Sequence, residues 1–460
     1  MDRLKLLMIA GAGPAILLGS LTVSLSQGGP PPPPPPGTIT TADATGTVAT
    51  LTLNPTFDLT SPFFHPLGTN ARTCGTCHTP GDAMTVSAAN VEARFDETEG
   101  TDPIFLTVDG SDSPRDEVAT LLERTSAYSM LTSKGVIRIG LPIPTNAQFT
   151  LSAVKDPYGF ASAAELSLFR RPLPTANLRF LSSVMWDGRE SPAGTNIGNA
   201  LLHQAGDAVV NHEQGIFPSL TTRTTVFNFE APLYSAQISD LVAGPLTAGG
   251  AQGGPGFLIN QPFFPGINDP FGRNPQKAPF NPNVFTIYNA WANLHPDGTA
   301  QTAQRLSIAR GEALFNTFRF NISGVAGLND IAGQPNFVGS CSSCHNSPNV
   351  GTRSLPDLMH TGIADVAHAS PALPVYTLKN KSTGETVQTT DPGAALTSGN
   401  WADIGKFKVP SLRGLSARAP YMHNGAFTDL AQVVSFYNVR FTMGLNAQQQ
   451  TDLTAFLQAL

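Results

Sequence analysis

Two stretches in the last third of the chain carry apolar residues at helical spacing. Residues 307–318 contain apolar positions at Ile308, Leu314, Phe315 and Phe318. Residues 446–460 follow the i, i+3, i+4, i+7 pattern, with apolar positions at Leu453, Phe456, Leu457 and Leu460. Each pattern predicts an amphipathic helix that packs one face against a core.

The pattern is different between residues 78 and 186 and after residue 215. Residues 136–141 and 148–154 have the residue types and the spacing of β-strands. Residues 215–282 are rich in Gly, Pro and Phe and lack sustained periodicity, which predicts an ordered loop that wraps the core. We therefore expect a mainly α protein with long irregular and partly β insertions.

Composition indicates a globular protein and narrows the choice of partners. A chain of 460 residues can form two or three domains with substantial cores. Charged residues make up 13% of the chain, against a usual share of roughly 25%. The net charge of −6 and the lack of a Lys/Arg cluster argue against nucleic acid and membrane surfaces as partners.

The N-terminal segment has the pattern of an export signal. Arg3 and Lys5 precede an apolar run over residues 6–23, and small residues follow it at Ser24 and Ser26. We interpret residues 1–26 as a signal peptide, with an uncleaved anchor helix as the alternative. The prolines at 30–36 predict a stiff polyproline linker over residues 27–40. This arrangement predicts a periplasmic or otherwise exported protein.

All four cysteines fall into two complete CxxCH motifs, Cys74, Cys77, His78 and Cys341, Cys344, His345. Two thiols on one helical turn can both form thioethers with haem vinyl groups, and the adjacent histidine can ligate the iron. Disulfides, a zinc site and a redox CxxC pair are alternatives. Zinc-binding pairs normally lie closer together in the chain, and redox pairs do not need the histidine. We therefore expect two covalently bound haem c groups.

The helices predicted near the second motif suggest how the chain is organised. A helix before CxxCH and an amphipathic helix at the end are what a cytochrome c domain needs to enclose a haem. We expect two cytochrome c-like haem domains. The N-terminal domain would cover residues 41–300 with its insertions, and the C-terminal domain would cover residues 301–460.

Four segments carry a family resemblance, in the order LGTNARTCGTCH (67–78), VMWDGRE (184–190), GSCSSCH (339–345) and KVPSLRGLSARAPYMHNGAFTDLAQVVSFYN (408–438). The chain resembles the bacterial di-haem cytochrome c peroxidases, including the di-haem enzyme that matures methylamine dehydrogenase. The resemblance implies an N-terminal haem that reacts with hydrogen peroxide and a C-terminal haem that transfers electrons. It also implies a small electron-donor protein, either a cytochrome c or a cupredoxin, and is compatible with a homodimer.

The resemblance assigns roles near the N-terminal haem. Trp186 matches the tryptophan that carries electrons between the haems, with a buried structural indole as the alternative. Gln204 and Glu213 match polar residues of the distal pocket. His212 adjoins Glu213 and offers another ligand or proton carrier. A structural or surface role for His212 and Glu213 is the alternative.

The sixth ligand of the C-terminal haem is open between three residues. Tyr437 stands where the short peroxidases have a methionine and where the methylamine-dehydrogenase maturation enzyme has a tyrosine. Met443 and Met422 keep thioether ligation open. The alternative for Tyr437 is a structural role, in which the ring packs in the core and the hydroxyl is hydrogen-bonded.

The long C-terminal segment of the resemblance implies further contacts. Arg413 and His423 are expected to contact haem propionates, because buried carboxylates need a charged partner. Family members also hold a calcium ion between the haem domains, and the backbone near Pro410 matches part of that site.

Three functions follow from these features. The leading one is a peroxidase that reduces hydrogen peroxide to water. The second is an oxidase that modifies a partner protein through highly oxidised haem iron, which Tyr437 supports. The third is a non-enzymatic electron-transfer dihaem cytochrome.

Overall fold

A computed structural model describes residues 37–460 of the chain. The predicted signal peptide and the prolines of the predicted linker lie outside these residues. The last three residues of that linker, 38–40, instead belong to the first strand, Thr38–Asp43. Within residues 37–460, no helix is both long enough and apolar enough to cross a membrane.

Helices are the main regular structure of the described residues. Twelve α-helices occur in this part of the chain: α1 (Cys74–Cys77), α2 (Ala88–Thr98), α3 (Leu121–Ala127), α4 (Ser129–Lys134), α5 (Ile197–His212), α6 (Leu220–Glu230), α7 (Pro255–Leu258), α8 (Ala300–Thr317), α9 (Asn329–Ala332), α10 (Ala395–Ser398), α11 (Leu430–Arg440) and α12 (Ala447–Gln458). Long connections and short strands separate them, as the sequence pattern predicts for the fold class.

Eleven strands form four small antiparallel sheets among residues 37–460. The strands are β1 (Thr38–Asp43), β2 (Gly46–Thr52), β3 (Ile137–Leu141), β4 (Phe149–Lys155), β5 (Leu166–Arg170), β6 (Leu233–Asp240), β7 (Gly244–Pro245), β8 (Phe320–Ser323), β9 (Asn336–Gly339), β10 (Val375–Asn380) and β11 (Thr386–Thr389). The strand orders are β1-β2-β6-β7, β11-β10-β4, β3-β5 and β8-β9.

Helices α8 and α12 confirm the two helices predicted near the C-terminal end. They pack against each other so closely that a Cβ atom on Gly311 would lie 2.0 Å from the Asp452 carbonyl oxygen. Ile308 of α8 and Phe456 of α12 are fully buried in their shared core. That core also includes residues from 243–291, which lie before the predicted domain boundary at residue 300.

The stretch 215–282 is more regular than its sequence predicts. We expected an ordered loop, but α6 and β6 both lie within it. Helix α6 contains several threonines, whose stiff β-branched side chains lower helix propensity and obscure the helical pattern. Its N-terminus is capped by the Ser219 side chain, and its buried residues Val226 and Phe229 stabilise it through tertiary packing.

The insertion between the first CxxCH motif and Trp186 connects both halves of the molecule. Strands β3 and β4 confirm the two strands predicted there. Strand β4 pairs with β10 of the C-terminal half, with Leu151 opposite Leu378. The insertion therefore joins the two halves through a sheet.

Candidate functional site

The first CxxCH motif forms one helical turn on the wall of a cavity. The backbone N–H of Thr73 donates to the Thr76 hydroxyl at 2.9 Å and caps α1. His78 Nδ1 lies 3.0 Å from the Met84 carbonyl oxygen. A carbonyl can only accept, so Nδ1 carries the proton and Nε2 keeps a free lone pair. Burial lowers the pKa of His78 to about 4, which keeps the imidazole neutral for a metal.

The second motif repeats this arrangement with a 3₁₀ turn, Cys341–Ser343. The backbone N–H of Ser340 donates to the Ser343 hydroxyl at 3.1 Å. His345 Nδ1 lies 2.5 Å from the Gly351 carbonyl oxygen, so Nε2 is again the free nitrogen. Burial lowers the pKa of His345 to about 4.

Each motif lines its own cavity. The N-terminal cavity encloses about 150 Å³, and its wall includes Cys74, Cys77, His78, Gln204, His212 and Glu213. The C-terminal cavity encloses about 210 Å³, and its wall includes Cys341, Cys344, His345, His423, Tyr437 and Met443. Five residues line both cavities, Arg171, Pro172, Leu173, Trp186 and Lys408. The two cavities therefore adjoin.

The residues of both cavities fit covalently bound haem c. None of the four cysteines forms a disulfide, and each pair lies beside a histidine with an available Nε2. Two residues that line the C-terminal cavity, Arg418 and His423, have buried nitrogens, Nε and Nε2, without hydrogen-bond partners among residues 37–460, although Asp391 Oδ2 lies 3.9 Å from His423 Nε2. The carboxylates of a bound group would satisfy such nitrogens.

Trp186 lies where the two cavities meet. Its indole Nε1 donates to the Arg171 carbonyl oxygen at 2.8 Å, which fixes the ring. The ring meets the His423 imidazole edge-on, with centroids 6.2 Å apart. Trp186 lines both cavities, so its location suits the predicted electron path, and that role stays a prediction.

One face of α5 points into the N-terminal cavity. Gln204, Ala208 and His212 recur every four residues and all line the cavity. Asn196 caps the start of the helix by accepting a hydrogen bond from the Asn199 N–H at 2.9 Å. The structure therefore brings Gln204 and His212 to the cavity of the first motif, as the prediction of a distal pocket requires.

The half-buried His212 belongs to a charge network that the sequence did not predict. Its Nδ1 lies 2.5 Å from Asp109 Oδ2, and Asp109 also pairs with Arg72. Burial alone would raise the pKa of Asp109, but Arg72 and the His212 hydrogen bond hold it below its ordinary value. The ionised carboxylate keeps the proton on Nδ1 and leaves Nε2 as the other functional nitrogen of His212.

Glu213 is buried beside the first cysteine of the motif. Its Oε2 accepts from the Leu67 N–H at 2.8 Å, and its Oε1 lies 3.7 Å from Cys74 Sγ. Burial raises the pKa of Glu213. Its carboxyl group is thus tied to the attachment side of the cavity, and its predicted distal role stays a prediction.

Glu230 is a second cavity carboxyl that the sequence analysis missed. It lies on α6, lines the N-terminal cavity and is 5% exposed. Burial raises its pKa to about 8, so the group is largely protonated at neutral pH. No sequence signal identified it, because α6 itself lacked a clear helical pattern.

All three candidates for the sixth ligand lie in the C-terminal cavity. Tyr437, on α11, lines the cavity with a half-buried side chain, and desolvation raises the pKa of its phenol. Its ring stacks on Phe441 with centroids 6.1 Å apart. Met443 and Met422 line the same cavity, so the choice among the three stays open.

The two residues expected to contact propionates occupy different places. His423 lines the C-terminal cavity and stacks on Phe407 with centroids 3.9 Å apart. Arg413 is also buried, but it is not among the residues that line either cavity. Its Nη2 donates to the Gly254 carbonyl oxygen at 3.5 Å. The predicted propionate contacts and the calcium ion near Pro410 stay predictions.

Lys408 is a further missed residue in the shared wall of the cavities. Its backbone N–H donates to the Trp186 carbonyl oxygen at 2.8 Å. Burial lowers the pKa of its ammonium group to about 7. The segment KVPSLRG is part of the stretch that carries the family resemblance. Only the fold, however, shows that Lys408 lines both cavities.

Comparison with known proteins identifies several di-haem enzymes as relatives. Cytochrome-c peroxidase IdrP1 of Denitromonas iodatirespirans is 33% identical over 139 residues, which make up 26% of this chain and 36% of that protein. Methylamine utilization protein MauG of Paracoccus denitrificans is 33% identical over 101 residues, 22% of this chain and 25% of that protein. The chain is a relative of the di-haem cytochrome c peroxidases and of MauG.

The match to these relatives is partial. The chain spans about a third of the length of the curated peroxidases it matches, with 36% coverage of IdrP1. Comparison with models of protein families gives no match. A solved MauG-like protein associated with microbial copper homeostasis aligns over 88% of this chain and 87% of its own, at 15% identity and a TM-score of 0.40. The diheme peroxidase BthA Y463M variant from Burkholderia thailandensis aligns over 86% and 83%, at 16% identity and a TM-score of 0.31.

Proposed function

We propose that this chain is an exported di-haem c-type peroxidase that reduces hydrogen peroxide to water with electrons from a small redox protein. One observation carries the proposal. The His212 imidazole lines the same cavity as His78 and is held by the ionised Asp109. Cleavage of the peroxide bond requires a base that transfers a proton. That base must lie in the same cavity as the histidine that would ligate the iron.

The attachment residues assign a place to each cofactor. Cys74, Cys77 and His78 would hold the N-terminal haem, and Cys341, Cys344 and His345 would hold the C-terminal haem. When bound, the haems supply the iron at which peroxide is reduced and the storage of electrons that arrive singly.

The chain's own residues handle the protons. Reduction of hydrogen peroxide to two waters consumes two electrons and two protons. His212 Nε2 would accept a proton from one oxygen of hydrogen peroxide and donate it to the other oxygen, which would leave as water. Asp109 stabilises the imidazolium that forms in between, because its carboxylate lies 2.5 Å from Nδ1. Gln204, on the same helix face, would orient the peroxide by hydrogen bonding.

Electrons would enter through the C-terminal half and reach the N-terminal cavity through the shared wall. Trp186 is the aromatic group of that wall, and its indole is fixed by Arg171. A cytochrome c or a cupredoxin is the kind of donor that delivers single electrons to such a protein. The predicted signal peptide supports export, which c-type haem attachment requires.

Replacement of His212 tests the proposal in the holoprotein. His212→Ala should lower kcat/KM for peroxide by roughly 10²–10⁴, the usual contribution of general acid–base catalysis. Asp109→Asn should give a smaller loss and shift the pH profile of turnover, since Asp109 only positions His212. The exposed His295 offers a matched control, and His295→Ala should leave turnover unchanged. Wild-type turnover in His212→Ala, with both haems retained in the optical spectrum, would contradict the proposal.

A second candidate function is an oxidase that modifies a partner protein. Tyr437 favours it, because a phenol that lines the C-terminal cavity could ligate iron and stabilise its oxidised states. Steady-state turnover with peroxide and a reduced cytochrome separates the two functions. Fast turnover supports the peroxidase, whereas negligible turnover by a fully haem-loaded protein favours the oxidase.

A further inference from the structure

The outer face of α5 carries a side-chain cluster that the proposed peroxidase chemistry does not use. Glu190, His203 and Asp207 each place one ligand atom so that all three atoms lie within 4.8 Å of one another. His203 Nδ1 lies 2.8 Å from Glu190 Oε2 and 3.8 Å from Asp207 Oδ2. Among residues 37–460, no other group of three such side chains has this geometry.

We propose that Glu190, His203 and Asp207 bind a divalent first-row transition metal ion such as Zn²⁺. This site goes beyond the proposed function and does not depend on it. Ligand atoms about 2.1 Å from a common ion stand roughly 3–4 Å apart, so small side-chain rotations would complete the coordination. One imidazole nitrogen and two carboxylates suit Zn²⁺ or Mn²⁺, whereas Ca²⁺ prefers an all-oxygen set.

The negative charge of the two carboxylates in the cluster would be balanced by a bound cation. Two carboxylates and one imidazole meet in the cluster, so it is negative when both carboxylates are ionised, even if His203 is protonated. Of the two nearby arginines, one pairs with a carboxylate, and the other hydrogen-bonds carbonyl oxygens and keeps its positive charge near His203. Arg189 pairs with Asp187 at 3.1 Å, and Arg223 donates to the Pro218 and Leu202 carbonyl oxygens at 3.1 and 3.2 Å.

The surrounding structure holds the ligands in place. His203 and Asp207 are one turn apart on α5, so they project from the same face. The His203 ring packs against Phe217 with centroids 5.6 Å apart. Glu190 is 6% exposed, and its Oε2 lies 2.8 Å from His203 Nδ1. A cation shared with His203 and Asp207 would stabilise the charge of this buried carboxylate.

The cluster is also open to solvent on one side. The side chains of His203 and Asp207 are 60% and 36% exposed, so an ion can reach the site and keep water ligands. A bound ion would connect the turn after Trp186 to α5, whose cavity-lining residues include Gln204 and His212. It would therefore fix the helix that forms one wall of the N-terminal cavity.

Calorimetric titration of chelator-treated holoprotein with ZnCl₂ tests the site directly. We expect one saturable equivalent of Zn²⁺, no comparable binding of Ca²⁺, and a higher Tm with Zn²⁺ present. His203→Ala and Asp207→Asn should each weaken Zn²⁺ binding by more than the roughly 10–100-fold that loss of an outer-shell partner costs. Glu190→Gln tests the buried ligand in the same way.

The His360–Asp365 pair is a matched control within this chain. Its Nε2 and Oδ1 atoms lie 2.8 Å apart, as close as His203 and Glu190, but no third ligand completes the pair. His360→Ala should therefore leave Zn²⁺ binding unchanged. The absence of saturable Zn²⁺ binding to the wild-type protein, or an equal loss in His360→Ala and His203→Ala, would overturn the proposal. Retained haem absorbance and Tm in the metal-free variants show that each is folded.

Discussion

The N-terminal and C-terminal cavities share an attachment motif but differ in their walls. The N-terminal cavity contains ionisable groups, including His212, Asp109 and Glu230. The C-terminal cavity is lined mainly by aliphatic and aromatic side chains, with Tyr437 and Met443 as candidate iron ligands. Proton transfer needs groups that change charge, whereas electron transfer needs a closed coordination shell and little reorganisation. This difference favours the N-terminal cavity as the proposed site of peroxide chemistry.

Among the changes that test this difference between the cavities, removal of one cysteine pair should have the largest effect on haem attachment and peroxide turnover. The double variant Cys74→Ala, Cys77→Ala should lose one covalent haem and all peroxide turnover, because the chemical site is gone. The double variant Cys341→Ala, Cys344→Ala should also lose one covalent haem but keep peroxide-reactive N-terminal haem. Intact mass and the pyridine haemochrome spectrum measure attachment. Haem that extracts from the wild-type protein into acidified organic solvent would contradict the assignment.

A change of axial ligand should sharpen the contrast at the C-terminal cavity. Tyr437→Met should raise the potential of that haem, since a thioether favours ferrous iron and a phenolate favours ferric iron. The expected shift is on the order of 100 mV, within the roughly 0.8 V that axial ligands span. Spectroelectrochemistry measures it. If Met443 is the ligand instead, Tyr437→Met leaves the potential nearly unchanged and Met443→Leu lowers it.

A substitution in the wall that the two cavities share should affect electron transfer between the haems without changing the iron ligands in either cavity. Trp186→Phe should slow electron transfer between the haems, because it removes the indole that lines both cavities. Both haems should stay bound, since Trp186 is not an attachment residue. Single-turnover reduction of the peroxide-oxidised protein measures the rate, and an unchanged rate would assign Trp186 a structural role.

The smallest expected effect concerns the stability of the N-terminal cavity. The folded-state pKa of Glu230 is about 8, above its unfolded value, so the native state holds a proton that the unfolded state has lost. Its contribution to the free energy of unfolding therefore declines as pH rises from about 4.5 to 8. Glu230→Gln should remove this decline in the free energy of unfolding, which amounts to a few kcal/mol at most. Denaturant titrations of both holoproteins at pH 5 and pH 8 measure it, and parallel pH dependences would contradict the burial argument.

Local patterns in the sequence predicted the attachment sites and several elements. The CxxCH motifs need only one turn of backbone, so five consecutive residues carry the whole signal. Helices α8 and α12 were predictable because their apolar residues recur at helical spacing. Helix α6 was not, because its threonines mask the pattern and tertiary packing of Phe229 supplies its stability.

The sequence by itself determined the two cysteine–histidine motifs, the amphipathic helices and the residue types available for chemistry. Only the tertiary structure decided which of those residues meet. Asp109 and His212 lie far apart in the chain, and no local pattern links them, yet folding brings them within 2.5 Å. Glu230 and Lys408 gain their unusual pKa values from burial, which depends on packing across the whole molecule. Motifs report short-range geometry, whereas cavities and electrostatics arise from contacts between distant segments.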